Sequence, residues 1–224
     1  MNRQVIESPE PPAFSGRMIF PTALLMLKAP VEGAVKTRLG REIGPGAATR
    51  AYRALVEHQC AQIPPGWRVH ICHEPEGARA GMREWLGEAH RYSSQAAGDL
   101  GARLAAATEE HFRLGGGPLI ILGGDCPYLI CERLMEVAVA LENADAVLVP
   151  ALDGGYCLIA LRRPEADVFR SIAWSTGAVL AQTRQRLAER GLAWRELAAA
   201  EDVDDRASWL RAVRAFPHLG EQSP

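Results

Sequence analysis

The sequence predicts an α/β protein: a three-layer α/β/α sandwich around a mostly parallel, mixed sheet. Short, unbroken apolar runs such as TALLMLK (22–28) and PLIIL (118–122) have the composition of strands that are buried on both faces. Between these runs lie segments whose apolar residues recur at helical spacing. Strands that alternate with helices in this way typically form a parallel sheet, because the crossover helices pack onto both of its faces.

The elements follow in order along the chain. Apolar spacing over Ala51, Leu55 and Cys60 predicts the first helix, and a stripe over Leu100, Leu104 and His111 predicts a later one. The turn at 153–155 joins two strands, so these are expected to be antiparallel. We predict strands at 22–28, 67–74, 90–95, 118–122, 193–197 and, as a pair, within 145–161. Helices are predicted at 46–63, 78–88, 98–117, about 128–142, 176–191 and 204–216.

Composition and charge narrow the class of protein. The chain has 224 residues and a formal net charge of −2, which argues against nucleic acid as the main partner. Residues 1–17 read as a disordered polar tail without a signal sequence, and residues 18–218 as a single domain. No apolar run has the length of a membrane span. The five cysteines lack metal-ligand spacing, which predicts reduced thiols and a cytoplasmic protein.

The loop KAPVEGAVKTRLG after the first strand concentrates positive charge. Ligands of open α/β sheets bind beyond the carboxyl ends of the strands, where this loop lies. Lys28, Lys36 and Arg38 supply cations, and Gly33 lets the backbone approach an anion closely. The spacing fits neither of the common glycine-rich nucleotide loops. An anion site is therefore one interpretation, and a solvated basic loop is the other.

Carboxylates follow two other predicted strands. In GGDCP, Asp125 comes after Gly124, where a bare backbone admits a ligand, and its hard oxygens suit Mg²⁺ or Mn²⁺. It could also cap the next helix. In EDVDD, one of Asp202, Asp204 and Asp205 should cap the last helix, and the others could complete a metal site with Asp125.

Three further stretches carry weaker signals. Asp153, Gly154, Gly155 and Tyr156 form either a plain hairpin turn or part of a binding surface. A nucleobase could hydrogen-bond near the start of the helix at 98, where the residues could equally cap that helix; these are Gln95, Gly98, Asp99 and Arg103. In the stretch WST (174–176), the tryptophan reads as a core residue and the threonine as a cap.

Six stretches in order, KAPVEGAVKTRLG, QAAGDLGARLAAA, GGDCPYL, PALDGGYCLIAL, WSTGAVLAQT and DVD, resemble the radical-SAM/selenodomain-associated transferase family. That family lies within the nucleotide-diphospho-sugar transferase superfamily, so the resemblance implies the GT-A fold. The loop with Lys36 and Arg38 is similar to that of 2-phospho-lactate guanylyltransferase, which implies phosphate contacts. Asp125 resembles the metal-binding aspartate of molybdenum-cofactor guanylyltransferase, with Asp204 as its implied partner. Relatives continue DVD with Thr-Pro-Glu-Asp-Leu, which this chain lacks, so Asp202, Asp204 and Asp205 all stay candidates.

The resemblance implies a metal-dependent transferase that uses a nucleotide-activated donor and a small-molecule acceptor. In glycosyl transfer, the favoured reading, Asp153 takes the acceptor proton or holds the sugar, with Gly154, Gly155 and Tyr156 at the acceptor. In nucleotidyl transfer, Lys36 and Arg38 stabilise charge on the attacked phosphate, and pyrophosphate leaves. The third hypothesis is a nucleotide-binding module without catalysis. The nucleobase is expected at Gln95, Gly98 and Asp99, with Lys28, Gly33 and Gly124 lining the nucleotide.

Overall fold

The computed structural model describes residues 20–221, so the polar tail expected at 1–17 lies outside the described residues. Its centre is a seven-stranded sheet in the order β3-β2-β1-β4-β6-β5-β7. The strands are β1 (Thr22–Lys28), β2 (Arg68–Glu74), β3 (Arg91–Ser94), β4 (Leu119–Leu122), β5 (Ala146–Pro150), β6 (Tyr156–Leu161) and β7 (Trp194–Glu196). All pairings are parallel except those of β6 with β4 and β5. The mostly parallel mixed sheet and the antiparallel β5–β6 pair are thus confirmed.

Eight α-helices occur within residues 20–221. They are α1 (Thr37–Ile43), α2 (Pro45–Ala61), α3 (Arg79–Leu86), α4 (Leu100–Arg113), α5 (Cys131–Leu141), α6 (Val179–Glu189), α7 (Arg206–Ala215) and α8 (His218–Glu221). Short 3-10 turns lie at Glu76–Ala78 and Ala166–Phe169. None of these helices combines the length and the apolar composition that crossing a membrane would require.

The two faces of the sheet carry separate halves of the core. Along β1, Ala23, Leu25 and Leu27 pack on one side, and Leu24 packs on the other, because successive side chains of a strand point to opposite faces. Helices α2, α3 and α5 cover the first face, and α4 and α6 cover the second. This arrangement explains why the strand sequences are continuously apolar and confirms the three-layer architecture.

Helices α1 and α8 are not predicted from the sequence, and α5 begins later than predicted. The stretch KAPVEGAVKTRLG is predicted to be a loop, but its last part is helical, because α1 begins at Thr37. Helix α5 begins at Cys131, three residues later than expected, and its N-cap is Ile130. The intervening residues form a turn in which the backbone N–H of Leu129 donates to Cys126 O (3.2 Å). Asp125 therefore does not cap α5.

The topology gathers several loops at one edge of the sheet. The carboxyl ends of β1, β4, β5 and β7 lie at this edge, together with the amino end of β6, which runs in the opposite direction. The strand order reverses between β1 and β4, and such a reversal opens a crevice beside the sheet. The loops that follow these strands are the ones that the sequence marked for function.

Candidate metal and ligand-binding site

Asp125 lies in the loop that leaves the carboxyl end of β4. Gly124, before it, packs against the core: a Cβ at this position would lie 2.5 Å from Val56 Cγ2 and 2.8 Å from Leu27 Cδ2. The glycine is therefore explained by packing against α2 and β1. The loop can turn sharply there, and this turn leaves Asp125 with a partly exposed carboxylate at the sheet edge.

A buried residue brings two further carboxylates to Asp125. Val203 is fully buried, and its backbone N–H donates to Asp125 O (2.9 Å). Asp202 and Asp204 flank this anchor and remain half-buried. Carboxylate oxygens of Asp125, Asp202 and Asp204 lie within 4.8 Å of one another. The fold therefore assembles a cluster of three carboxylates from two loops that are far apart in sequence.

Asp205, the remaining candidate, has a structural role. It is the N-cap of α7 and accepts a hydrogen bond from Ser208 N (2.8 Å), and the Ser208 hydroxyl completes a capping box. Hydrogen bonds from the backbone and hydroxyl of Ser208 lower the pKa of Asp205. The prediction that one of the three C-terminal aspartates caps the last helix is confirmed, and it is Asp205.

Lys36 and Arg38 both contact the carboxylate cluster. The ammonium Nζ of Lys36 lies 3.0 Å from Asp125 Oδ2 and 3.2 Å from Asp204 Oδ1, and its side chain is 7% exposed. Arg38 Nη1 lies 3.2 Å from Asp204 Oδ2, but its side chain is 76% exposed. One basic residue is thus enclosed among the carboxylates, and the other reaches out toward solvent.

The pKa shifts in the cluster follow from this arrangement. Burial, together with the charges of Asp125 and Asp204, raises the pKa of Asp202 to about 6. Burial lowers the pKa of Lys36, but the charges and hydrogen bonds of Asp125 and Asp204 outweigh it, so its net pKa is raised. The lysine is held firmly protonated, and the carboxylates carry more negative charge than their two basic neighbours balance.

The cluster opens onto a cavity of about 660 Å³. Polar side chains in the lining are those of Asp125, Asp153, Asp202, Asp204 and Arg38. Apolar and aromatic side chains in the lining are those of Met26, Leu100, Leu104, Ile121, Tyr156, Ile159, Trp174 and Val179. A ligand with a charged group and an apolar or ring-shaped body fits such a mixed lining.

The Asp-Gly-Gly-Tyr stretch forms one wall of this cavity. Asp153 Oδ1 accepts a hydrogen bond from Gly155 N (2.9 Å), which orients the carboxylate. Gly154 has φ +92°, and a Cβ there would lie 2.4 Å from Gly177 O. The turn therefore needs glycine both for its backbone conformation and because the loop before α6 approaches it closely. Tyr156 packs edge-on against Trp174, with ring centroids 6.4 Å apart.

Sequence reasoning missed part of the apolar wall. Leu100 was expected in the buried stripe of α4, but it is 42% exposed and lines the cavity. Trp174 packs on the core as expected and also lines the cavity. Thr176 donates to Ala173 O (2.7 Å) and accepts from Ala178 N (3.2 Å), but the N-cap of α6 is Ala178 and no side chain caps this helix, so the expected cap at Thr176 was wrong. A positive φ at Ser175 marks this loop as unusual, but no sequence pattern reveals it.

Other residues expected at a nucleotide do not line this cavity. Gln95 Nε2 donates to Leu27 O and Cys72 O (3.0 Å each) and so ties three strand ends together. Asp99 caps α4 by accepting from Ala102 N (2.8 Å). Lys28 is exposed at the end of β1. Gly33 and Gly98 have positive φ angles of 77° and 110°, as turn residues. A nucleotide role for these five residues and for Gly124 stays a prediction.

The cysteines are all free thiols. Cys157 lines the cavity, and its Sγ donates to Ala200 O (3.7 Å). The neighbouring thiol of Cys126 and burial raise the pKa of Cys157. This shift disfavours the thiolate form at this position.

Comparison with solved structures supports the fold assignment. A protein from Desulfovibrio desulfuricans G20, provisionally described as a nucleotide-diphospho-sugar transferase, is similar over 90% of this chain and 97% of its own, with 29% identity and a TM-score of 0.79. Rv0371c from Mycobacterium tuberculosis H37Rv is 16% identical over 88% of this chain and 100% of its own (TM-score 0.54), and it has also been solved in complex with manganese.

A CMP:2-keto-3-deoxy-manno-octonic acid synthetase solved with CTP is 14% identical over 88% of this chain and 98% of its own (TM-score 0.54). The last two likenesses show the fold alone, which is the expected GT-A-like arrangement. No curated protein matches the sequence. The model of the family described as "Uncharacterized protein conserved in bacteria (DUF2064)" matches residues 57–176, more than half of the chain. The chain therefore belongs to the bacterial DUF2064 family.

Proposed function

We propose that this protein is a metal-dependent transferase that uses a nucleotide-activated donor. The observation that carries the proposal is the cluster of Asp125, Asp202 and Asp204, within 4.8 Å of one another at the mouth of the cavity. Three carboxylates gathered from two loops at a sheet edge carry an excess of negative charge, which needs a cation. The likeness to the D. desulfuricans protein supports a sugar-nucleotide or related donor.

The donor set fits Mg²⁺ or Mn²⁺. All three groups offer hard carboxylate oxygens, which these ions prefer. A cation already occupies part of the cluster, because the Lys36 ammonium bridges Asp125 and Asp204. We therefore assign Asp125, Asp202 and Asp204 to the metal, with Asp205 excluded by its role as helix cap. When bound, the ion would neutralise the charge of the donor phosphates.

The polar residues of the cavity lining offer a place for those phosphates. Arg38 lies beside the cluster, is exposed and lines the cavity, so its guanidinium can bind a phosphate without being desolvated first. Lys36 is enclosed among the carboxylates and does not line the cavity. Arg38 is thus the cation that meets an incoming nucleotide.

We favour glycosyl transfer because of the wall formed by Asp153 and Tyr156. Asp153 presents a carboxylate that Gly155 orients, and Tyr156 and Trp174 place two aromatic rings at the cavity. Aromatic rings pack on the apolar faces of sugars, and a carboxylate accepts hydrogen bonds from hydroxyl groups. In this role Asp153 holds the sugar or takes the proton from the acceptor. The acceptor is a small molecule bound along the Asp153–Tyr156 wall.

Nucleotidyl transfer is the second candidate, and Arg38 is the observation that favours it. A guanidinium beside a carboxylate cluster suits the triphosphate of a nucleotide donor, where it would stabilise charge on the attacked phosphate. A binding module without catalysis is the third candidate. It would be supported by nucleotide binding without turnover of any donor.

Turnover assays distinguish the three candidates. Each common sugar nucleotide is incubated with Mn²⁺, and release of nucleoside diphosphate is followed, with slow hydrolysis expected when no acceptor is present. Each nucleoside triphosphate is tested in parallel for metal-dependent exchange of pyrophosphate. Asp125→Asn is the inactive control in both assays. Exchange of pyrophosphate without sugar-nucleotide turnover would replace glycosyl by nucleotidyl transfer, and inactivity in both assays would favour the binding module.

A further inference from the structure

The side chain of Lys36 occupies the carboxylate cluster. Its ammonium lies 3.0 Å from Asp125 and 3.2 Å from Asp204, two of the three residues assigned to the metal. With 7% exposure, the side chain is withdrawn from solvent and from the cavity lining. An ammonium at these distances bonds to two of the carboxylates that a divalent ion would need. The lysine and the ion therefore compete for these carboxylates in the arrangement seen here.

The choice of lysine is unusual for this chain. Of its 25 lysine and arginine residues, two are lysines: Lys28 ends β1, and Lys36 lies in the loop that follows. A guanidinium is a broad planar fork, whereas an ammonium is a compact point charge on a flexible stem. A compact cation is the one that fits between two carboxylates and can leave without rearranging them.

The backbone of Lys36 adds a second observation. The residue lies in the left-handed region, with φ 45° and ψ 48°, immediately before α1. This conformation is unfavourable for a residue with a Cβ, so it persists only where surrounding contacts hold it. Within residues 20–221, the side-chain hydrogen bonds of Lys36 are those to Asp125 and Asp204. The backbone is also fixed by the bond from Gly40 N to Lys36 O (2.8 Å), so loss of the two side-chain contacts would release the ammonium and leave the backbone in place.

We propose that Lys36 is a resident cation that a divalent metal displaces, and that displacement moves its ammonium toward the cavity. This inference rests on the proposed metal site. Before the metal binds, Lys36 screens the repulsion between Asp125 and Asp204 and keeps the cluster preformed. When the metal takes the same oxygens, charge repulsion between the two cations expels the ammonium. Lys36 then joins Arg38 at the phosphates of the donor.

The first test compares the metal affinity of matched variants. Free Mn²⁺ is titrated by electron paramagnetic resonance against the wild type, Lys36→Met and Arg38→Met, without nucleotide. Lys36→Met should bind Mn²⁺ about tenfold more tightly, because no ammonium competes. Arg38→Met removes an exposed charge at a similar distance from Asp204, and it should change the affinity by less than about threefold. Equal or weaker binding by Lys36→Met overturns the proposal.

The second test uses the wild-type protein and so does not depend on a variant that folds. The protein is treated briefly with an amine-acetylating reagent, and labelling at each lysine is measured by mass spectrometry. Lys36 should be protected in the absence of metal and labelled several-fold faster with saturating Mn²⁺. Lys28, which is exposed, is the internal reference and should not change.

The outcomes separate this inference from the proposed function. Mn²⁺ binding with unchanged protection of Lys36 overturns the displacement alone and leaves the metal site standing. An absence of Mn²⁺ binding in every variant overturns the metal site and the displacement together. Asp125→Asn, which removes one shared carboxylate, should label Lys36 faster than the wild type even without metal.

Discussion

Asp145 and Asp202 are both partly buried aspartates in loops beside the same sheet, but the pKa values of their carboxyl groups are shifted in opposite directions. Asp145 precedes β5 at its amino end, and hydrogen bonds from Arg163, Ala193 N and Arg162 lower its pKa to about 2. Asp202 lies at the opposite edge, beyond the carboxyl ends of the strands. There, burial and the charges of Asp125 and Asp204 raise its pKa to about 6.

The difference shows what each region is built for. Asp145 accepts from two guanidinium groups and a backbone N–H, so the fold itself satisfies its charge. Asp202 shares its surroundings with two other carboxylates, and the ammonium of Lys36 bonds to those two. A carboxylate that the fold satisfies contributes to stability. A carboxylate cluster whose negative charge the fold does not balance lowers stability when no ligand is bound. Such clusters are typical of functional sites.

The largest expected effect is on metal affinity, which should depend on the carboxylate cluster and not on Asp145. Asp125→Asn keeps the shape of the side chain but removes a charge from the cluster, and it should weaken Mn²⁺ binding by more than about 100-fold. Asp145→Asn is the matched control and should leave Mn²⁺ affinity unchanged. Calorimetric titration of both variants measures the difference. Retention of wild-type affinity by Asp125→Asn would show that the cluster holds no metal.

The second prediction concerns the backbone that supports the cavity wall. Gly154 and Gly87 share a φ of +92°, but a Cβ at Gly154 would meet Gly177 O at 2.4 Å, whereas a Cβ at Gly87 meets nothing within 4 Å. Gly87 has ψ 167°, which places it in a backbone region almost confined to glycine, so Gly87→Ala should cost about 1–3 kcal/mol of stability. Gly154→Ala should cost about 1–3 kcal/mol more because of the clash.

Urea unfolding of both glycine variants measures this difference in the free energy of unfolding. If the two variants lost the same stability, the contact between the 153–155 turn and the loop before α6 would not be tight. The cavity wall would then be looser than the structure describes.

The third prediction concerns the satisfied carboxylate. Asp145→Asn should lower the free energy of unfolding by about 1–2 kcal/mol at pH 7, because it weakens charge-assisted hydrogen bonds whose arginine partners are partly exposed. The pKa of Asp145 is lowered on folding, so its contribution is complete above pH ~4 and is lost as the pH falls toward 2. Urea unfolding as a function of pH should show the two proteins converge in acid. A constant difference across this range would contradict the prediction.

The fold was largely predictable from sequence because its signals are local. The apolar run 22–28 and the Asp-Gly-Gly turn each determine one element without reference to the rest of the chain. Helix α1 escaped prediction because its seven residues, TRLGREI, contain a glycine and one buried side chain, Leu39. So short a segment has too little apolar periodicity to distinguish it from a turn.

The site was predictable only in part, because its decisive contacts are not local. Their positions after predicted strands suggested Asp125 and the C-terminal aspartates as metal ligands. The backbone bond from Val203 to Asp125 O selects Asp202 and Asp204, and no pattern reveals that bond. Lys36 was expected at phosphates but lies 3.0 Å from Asp125. Gln95 was expected near a base but bonds to strand ends, since its side chain satisfies buried carbonyl groups there.

The smallest expected change in stability is at Arg38, the exposed partner of Asp204. Its side chain is 76% exposed, so Arg38→Ala should change the free energy of unfolding by less than about 0.5 kcal/mol. Arg163, 60% exposed beside Asp145, is the matched residue in the other region. Arg163→Ala should lower stability slightly more, because the pKa of its partner shows a stronger contact.

For nucleotide affinity, the ranking of the two arginines should be the reverse of their ranking for stability. Arg38→Ala should weaken the binding of a nucleotide with Mn²⁺ by about 1.5–3 kcal/mol, the range for charge-assisted hydrogen bonds, whereas Arg163→Ala should have no effect. Calorimetry with the donor nucleotide and urea unfolding measure the two quantities on the same proteins. Unchanged nucleotide affinity in Arg38→Ala would place the phosphates elsewhere. A loss of stability in Arg38→Ala would show that Arg38, like Arg163, contributes to folding. We expect no such loss, because an exposed cation that the fold does not need is available to bind a ligand.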